Sequence, residues 1–136
     1  MTRHAHIVID LGFGDQGKGT VVDALARHHN VHTVIRFGAP QAGHGVITPD
    51  GRYHIFAQFG SATFVDGVET FLSKHMVIEP WRMMAEEEAL QKLGVTDAFR
   101  RTMVSASALV ITPFHAAANR LREIARGDAR HGSCGL

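Results

Sequence analysis

Eight residues, Gly12-Phe13-Gly14-Asp15-Gln16-Gly17-Lys18-Gly19, constrain this chain more than any other feature. They follow an apolar run from Ala5 to Leu11 and lead into a helical pattern that begins near Thr20. A strand, a glycine-rich turn and a helix in that order form a phosphate cradle. Small residues let backbone N–H groups approach the anion, and the helix N-terminus adds partial positive charge. The spacing follows the P-loop pattern of Gly, four residues, Gly, Lys and Ser or Thr up to its last position. There Gly19 stands, with no hydroxyl to hold Mg²⁺, while an acid, Asp15, lies inside the loop. That combination points away from an ordinary nucleoside triphosphatase.

Periodicity along the chain predicts an α/β fold: a mainly parallel sheet with flanking helices, a P-loop-like nucleotide-binding core and a β-hairpin insertion. Residues 5–11 read as a buried strand, and residues 19–29 as a helix with Val21, Val22, Leu25, Ala26 and His29 on one side. Val31 to Phe37 reads as a second strand, completing a strand–helix–strand unit. Gly38 to Gly45 is too rich in glycine for a core element and reads as a loop at the carboxyl end of that strand, the edge where open α/β sheets bind ligands. Val46–Thr48 and Tyr53–Phe59 flank the turn signal Pro49-Asp50-Gly51-Arg52, which predicts the hairpin. Region 60–78 is ambiguous. Pro80 opens a helix to about Leu93, with Trp81, Met84, Leu90 and Leu93 expected to face the core. Met103 to Ile111 reads as a strand, and Thr112-Pro113 opens an amphipathic helix with Phe114, Ala117, Ala118, Leu121, Ile124 and Ala125 on one face. Arg120, Arg122, Glu123 and Arg126 would form its solvated side.

At 136 residues, the chain fits one domain that buries about two-thirds of its unfolded surface. A net charge of +1 gives no general attraction to nucleic acid or to a membrane surface, and no stretch reaches the ~20 apolar residues of a membrane span. One cysteine, Cys134, precludes an internal disulfide and fits a reducing, cytoplasmic setting. Of ten histidines, His28, His29 and His32 cluster where the first helix ends; imidazoles placed against helix C-terminal carbonyls account for them more simply than a metal site does. The tail His131-Gly132-Ser133-Cys134-Gly135-Leu136 reads either as a ligand-approaching loop or as a frayed terminus.

Three side chains carry candidate chemistry. The Lys18 ammonium would bind β- and γ-phosphate oxygens and offset charge during phosphoryl transfer. Asp15, repelled by phosphate at short range, makes sense either as a Mg²⁺ ligand or as the acceptor of a proton from a substrate beside the nucleotide. His44 could donate a hydrogen bond to a developing phosphoryl charge, or be an ordinary loop histidine.

Three segments resemble the adenylosuccinate synthetase family, whose members are GTP-dependent ligases joining aspartate to IMP. Gly14-Asp15-Gln16-Gly17-Lys18-Gly19 is similar to the family's Gly-Asp-Glu-Gly-Lys-Gly. Arg36-Phe37 through Ala42-Gly43-His44 resembles the strand leading to its Asn-Ala-Gly-His loop, and Gly132-Ser133-Cys134-Gly135 stands where it has Gly-Thr-Thr-Gly. The resemblance implies that Asp15, His44 and Lys18 are catalytic. Asp15 would take the proton from N1 of IMP, whose O6 attacks the γ-phosphate; aspartate then displaces the phosphate of the 6-phosphoryl intermediate. It further implies GTP contacts at Gly14, Asp15, Gln16, Gly17, Lys18, Gly19, Thr20, Gly43, His44 and Gly45. IMP would be held by Asp15, Gln16, Gly17, Lys18, Gln41, Ala42, Gly43, His44 and Cys134, and Mg²⁺ by Asp15 and the Gly43 carbonyl. A homodimer is implied too, as is an amino-terminal part of a GTP- and IMP-binding ligase domain, since the family's guanine- and aspartate-recognition segments lie further along. On this reading the 136 residues alone are not expected to turn over. Gln16, Gln41, Cys134 and Leu136 depart from the family's Glu, Asn, Thr and basic residue. These departures frame the alternative, a divergent or inactive paralogue for another nucleotide-like substrate. A small P-loop kinase or GTPase fits less well, given Gly19 and the lack of a Walker-B acid or guanine motif.

Overall fold

The architecture is organised by one ten-residue strand. The computed structural model describes residues 4–39 and 42–129. Within it, α1 spans Lys18–His28, β1 Thr33–Gly38, β2 His44–Ile47, β3 Tyr53–Phe56, β4 Glu69–Ile78, α2 Pro80–Lys92, β5 Thr102–Val104, β6 Leu109–Val110 and α3 Pro113–Arg126. β4 is central: β1 and β5 flank it in parallel, and β6 pairs in parallel with its far end. β2 and β3 form a separate antiparallel hairpin. This is a mixed α/β fold with a parallel sheet and flanking helices, as the periodicity predicts.

The alternation of β4 explains where the core sits. Leu72, Met76 and Ile78 point to one face and are buried with Val46 and Phe56 of the hairpin, Phe59, Phe64, and Met83 and Leu90 of α2. Burying each such side chain contributes ~1.5–3 kcal/mol. Phe56 and Phe64 meet edge to face, with centroids 5.3 Å apart. A second, smaller cluster of Ala26, Ala62 and Val68 seats α1.

The other face of the sheet is apolar and open. Register aligns Ile35 with Phe71 and Phe71 with Met103, and pairs Val77 with Leu109. Ile35, Met103 and Leu109 are exposed. So are Phe114, Leu121 and Ile124 on the apolar side of α3. Thr112 caps α3 as expected, and the His115 side chain closes a capping box there.

Several expectations need correction. Residues 5–11 form no strand: Ile7, Ile9 and Leu11 are exposed, and no ladder pairs the run among the described residues. Apolar alternation expresses a tendency to pair, and the sheet here ends at β1. The loop predicted over 38–45 gives up His44 and Gly45 to β2. Region 60–78 holds turns and then β4, and residues 103–111 hold two short strands rather than one. On α2, Trp81 and Met84 face solvent, whereas Met83, Glu86, Glu87 and Leu90 are buried, because the helix is rotated toward the hairpin. On α1, Val21 and His29 are exposed and the buried positions are Gly19, Asp23 and Ala26. Glu123, expected on a solvated face, is 2 % exposed and pairs with Arg126. No helix among the described residues is long and apolar enough to cross a membrane.

Candidate functional site

The glycine loop turns by repeated left-handed residues. Gly14 (φ 98°), Asp15 (φ 51°) and Gly17 (φ 73°) adopt the conformation that glycine tolerates best, and Gly17 is the residue before α1. Asp15, a non-glycine in that region, is exposed and makes no hydrogen bond or ion pair among the described residues. Gln16 turns inward: its side-chain oxygen accepts from the Leu11 N–H at 3.1 Å, and its amide group crowds against Gly12.

Gly19 has a packing reason. A Cβ there would lie 2.8 Å from the Gly45 carbonyl oxygen and 2.9 Å from the His44 Cβ, so the first turn of α1 presses directly on the backbone of β2. A Ser or Thr would not fit without moving that strand. Thr20 adds a hydrogen bond from its hydroxyl to the Gly45 carbonyl at 3.2 Å. The missing hydroxyl of the P-loop pattern is therefore the condition for bringing His44 against the phosphate loop. Gly43 is also closely approached, with the Ile55 side chain 2.5 Å from where its Cβ would be.

A buried charged clamp holds the far side of this arrangement. Arg36, on β1, donates to the carbonyls of Phe59 (2.8 Å), Phe56 (3.2 Å) and Ala42 (2.9 Å). Glu86, on α2, accepts from the N–H groups of Ala57 (3.0 Å), Gln58 (2.7 Å) and Phe59 (3.4 Å). Cation and anion thus grip one segment, 56–59, by its carbonyls and amides, and Arg36 extends the grip to Ala42, two residues before His44. Burial pulls the Arg36 guanidinium down to about 10, partly opposed by Glu86. His54 approaches Glu86 at 3.4 Å.

His44 is half-buried. Burial first, and then the positive charges of Arg36 and Lys18, hold its imidazole below the usual value, against the opposing pull of Asp10. Those influences favour the neutral imidazole. Lys18 pairs with the Asp10 carboxylate. Lys18, Gly19, Thr20, His44 and Gly45 are therefore brought together, while Gly14, Asp15, Gln16 and Gly17 form the turn above them. Ala42 and Gly43 follow at the edge held by Arg36. Gln41 and Cys134 lie outside the described residues. The histidine trio does not converge: His32 bonds to the Thr33 hydroxyl at 2.6 Å, His29 stacks near His6, and no group of three potential metal ligands occurs among the described residues.

Sequence reasoning gave no role to Arg36, Glu86 or Asp10. A charge inside the apolar pattern of Val34-Ile35-Arg36-Phe37 was the available signal for Arg36, and a carboxylate within the 5–11 run was the signal for Asp10. Glu86 begins the run Glu86-Glu87-Glu88, which reads as a solvated face.

Sheet, glycine loop and helix together make a mixed α/β protein with a P-loop-like turn before its first helix. Residues 7–136 match the adenylosuccinate synthetase family model, and the chain belongs to that family. It is 35% identical over 130 residues to the adenylosuccinate synthetase of Alkalilimnicola ehrlichii, and 33% identical to adenylosuccinate synthetase 2 of Chromobacterium violaceum. Each match covers 95% of this chain and 29% of the relative, so the chain spans under a third of the length of these relatives. Among solved structures it resembles the fully ligated adenylosuccinate synthetase of Plasmodium falciparum, with a TM-score of 0.75, 22% identity and coverage of 90% of this chain and 28% of that one. It also resembles the succinoaminodeoxyadenylate synthetase of cyanophage S-2L, solved with dGMP and dATP, with a TM-score of 0.62 and 22% identity, covering 85% of this chain and 30% of that one.

Proposed function

We propose that this chain is the phosphate-handling, amino-terminal part of a GTP-dependent ligase domain that joins IMP and L-aspartate to give adenylosuccinate. The observation that carries the reading is the contact of Gly19 with His44 and Gly45, which sets a phosphate-binding lysine and a neutral imidazole on one edge. Lys18 and the amides of 14–19 would hold the GTP phosphates. Asp15, free of protein partners among the described residues, would accept the N1 proton of IMP, making O6 nucleophilic toward the γ-phosphorus. GDP leaves, and the aspartate amine then displaces phosphate from the 6-phosphoryl carbon. His44 would donate a hydrogen bond to the transferring phosphoryl group; bound phosphate raises its affinity for the proton it needs as an acid. General acid–base steps of this kind supply ~10²–10⁴-fold in rate.

The donor set fits Mg²⁺ in its usual mode, one or two carboxylates with substrate phosphates completing the shell. Asp15 offers a lone free carboxylate and Gly43, next to His44, a backbone carbonyl, so these residues would hold the ion, which would neutralise phosphate charge when bound. IMP would lie along Gln41, Ala42 and Gly43, with Cys134 toward its phosphate. Assembly as a cytoplasmic homodimer, with residues beyond this stretch of the family fold recognising guanine and aspartate, belongs to the same proposal. The exposed Ile35, Met103, Leu109 and α3 face would then be covered by that remaining part of the fold.

Calorimetric titration tests the reading. GTP with Mg²⁺ and IMP should each bind saturably. Lys18→Ala should weaken GTP by roughly 10–100-fold, the worth of a charge-assisted hydrogen bond. Equal GTP affinity in the wild type and Lys18→Ala would contradict it.

A further inference from the structure

Asp10 is the acid within the apolar run that enters the glycine loop, and its Oδ2 pairs with the Lys18 ammonium. The pair is well sheltered, with 17% of the Asp10 and 31% of the Lys18 side chain exposed. The other carboxylate oxygen of Asp10, Oδ1, is buried without a hydrogen-bond partner among the described residues. A permanent buried ion pair holds its stability only when the remaining lone pairs are also satisfied. This one is half satisfied, on the one cation of the loop.

We propose that Asp10 is the resident counter-ion of Lys18, a carboxylate occupying the place of a phosphate oxygen, which an arriving polyphosphate must displace. The inference rests on reading the loop as a nucleotide site. A carboxylate and a phosphate oxygen offer an ammonium the same charge-assisted contact, so they compete for it directly. Once phosphate takes Lys18, the Asp10 carboxylate is left sheltered, uncompensated and close to a second anion. Both effects weaken binding. Asp10 therefore sets the affinity of the cradle, and through it the concentration of nucleotide at which the site fills. The exchange moves no covalent bond; the ammonium changes partner.

The test compares the whole chain with its Asp10→Asn variant, which keeps the shape and removes the charge. Inorganic tripolyphosphate and GTP with Mg²⁺ are titrated calorimetrically, while the Lys18 side-chain ¹⁵N resonance is followed by NMR. Asp10→Ser serves as a second variant should the amide disturb the turn. Both variants should bind tripolyphosphate and GTP roughly tenfold more tightly, as expected when a competing charged partner is withdrawn. Adding tripolyphosphate should move the Lys18 resonance in the wild type, and removing Asp10 should move it without ligand. Binding by the wild type with no gain, or a loss, in both variants would overturn the role of Asp10 and leave the nucleotide reading intact. Binding of neither compound by any of the three proteins would overturn both.

Discussion

Ile35 and Arg36 are neighbours on one strand and live in opposite surroundings. Arg36 points to the covered face, where Leu72 is fully buried, α2 closes the layer and every donor it extends to the 56–59 segment finds a carbonyl. Ile35 points to the open face with Phe37, which is 74% exposed, and no helix lies over them among the described residues. The difference separates what makes this chain a fold from what makes it a site. The covered face is closely packed, and Arg36 and Glu86 hold its 56–59 segment and, through Ala42, the approach to His44. The open face and the 5–11 run hold apolar surface of the kind that marks an interaction site or a layer awaiting its partner.

Substitutions should sharpen that contrast. Leu72→Ala on the covered face should cost about 3–4 kcal/mol in denaturant unfolding, as cavities in close-packed cores do. Glu86→Gln should cost about 2 kcal/mol, since an amide replaces an anion that serves three backbone N–H groups. It should also loosen the 56–59 segment, seen as faster amide hydrogen exchange there. Phe37→Ser on the open face should change stability by less than ~0.5 kcal/mol while lowering the binding of a hydrophobic dye. A loss on Phe37→Ser comparable to that of Leu72→Ala would erase the distinction between the faces.

The parts legible in the sequence are those whose signals are local. The glycine loop, the hairpin turn at 49–52 and the starts of α2 at Pro80 and α3 at Thr112-Pro113 depend on residues a few positions apart. The misreadings share a different cause. Ile7, Ile9 and Leu11 have the pattern of a strand, but a strand is defined by its neighbours. β4 was hidden because Ser73-Lys74-His75 interrupts its apolar alternation, and only pairing with β1 and β6 reveals its length. The rotation of α2 that exposes Trp81 goes with Glu86 reaching the 57–59 segment just after the hairpin, 27–29 residues away in sequence. Asp15, Lys18 and His44 are candidates that motif chemistry alone proposes, whereas the Arg36–Glu86 clamp and the Asp10–Lys18 pair are contacts that spacing does not encode. Gly19 is instructive in both respects: a departure from the motif in sequence, it is a requirement of packing in the fold.

The proposed function puts Lys18 and His44 at one phosphate site, and the protonation of His44 reports that directly. In the free protein, burial and the charges of Arg36 and Lys18 hold its titration below the usual imidazole value. An anion bound at Lys18 cancels part of that field and stabilises the imidazolium, so the titration must move upward, and phosphate must bind more tightly as pH falls through that range. Following the His44 ring proton by NMR across pH 5–8, with and without GTP and Mg²⁺, measures both. A titration below 6.5 in the free protein, rising on saturation with GTP, is the predicted result. A His44 titration unmoved by saturating GTP would contradict the shared site.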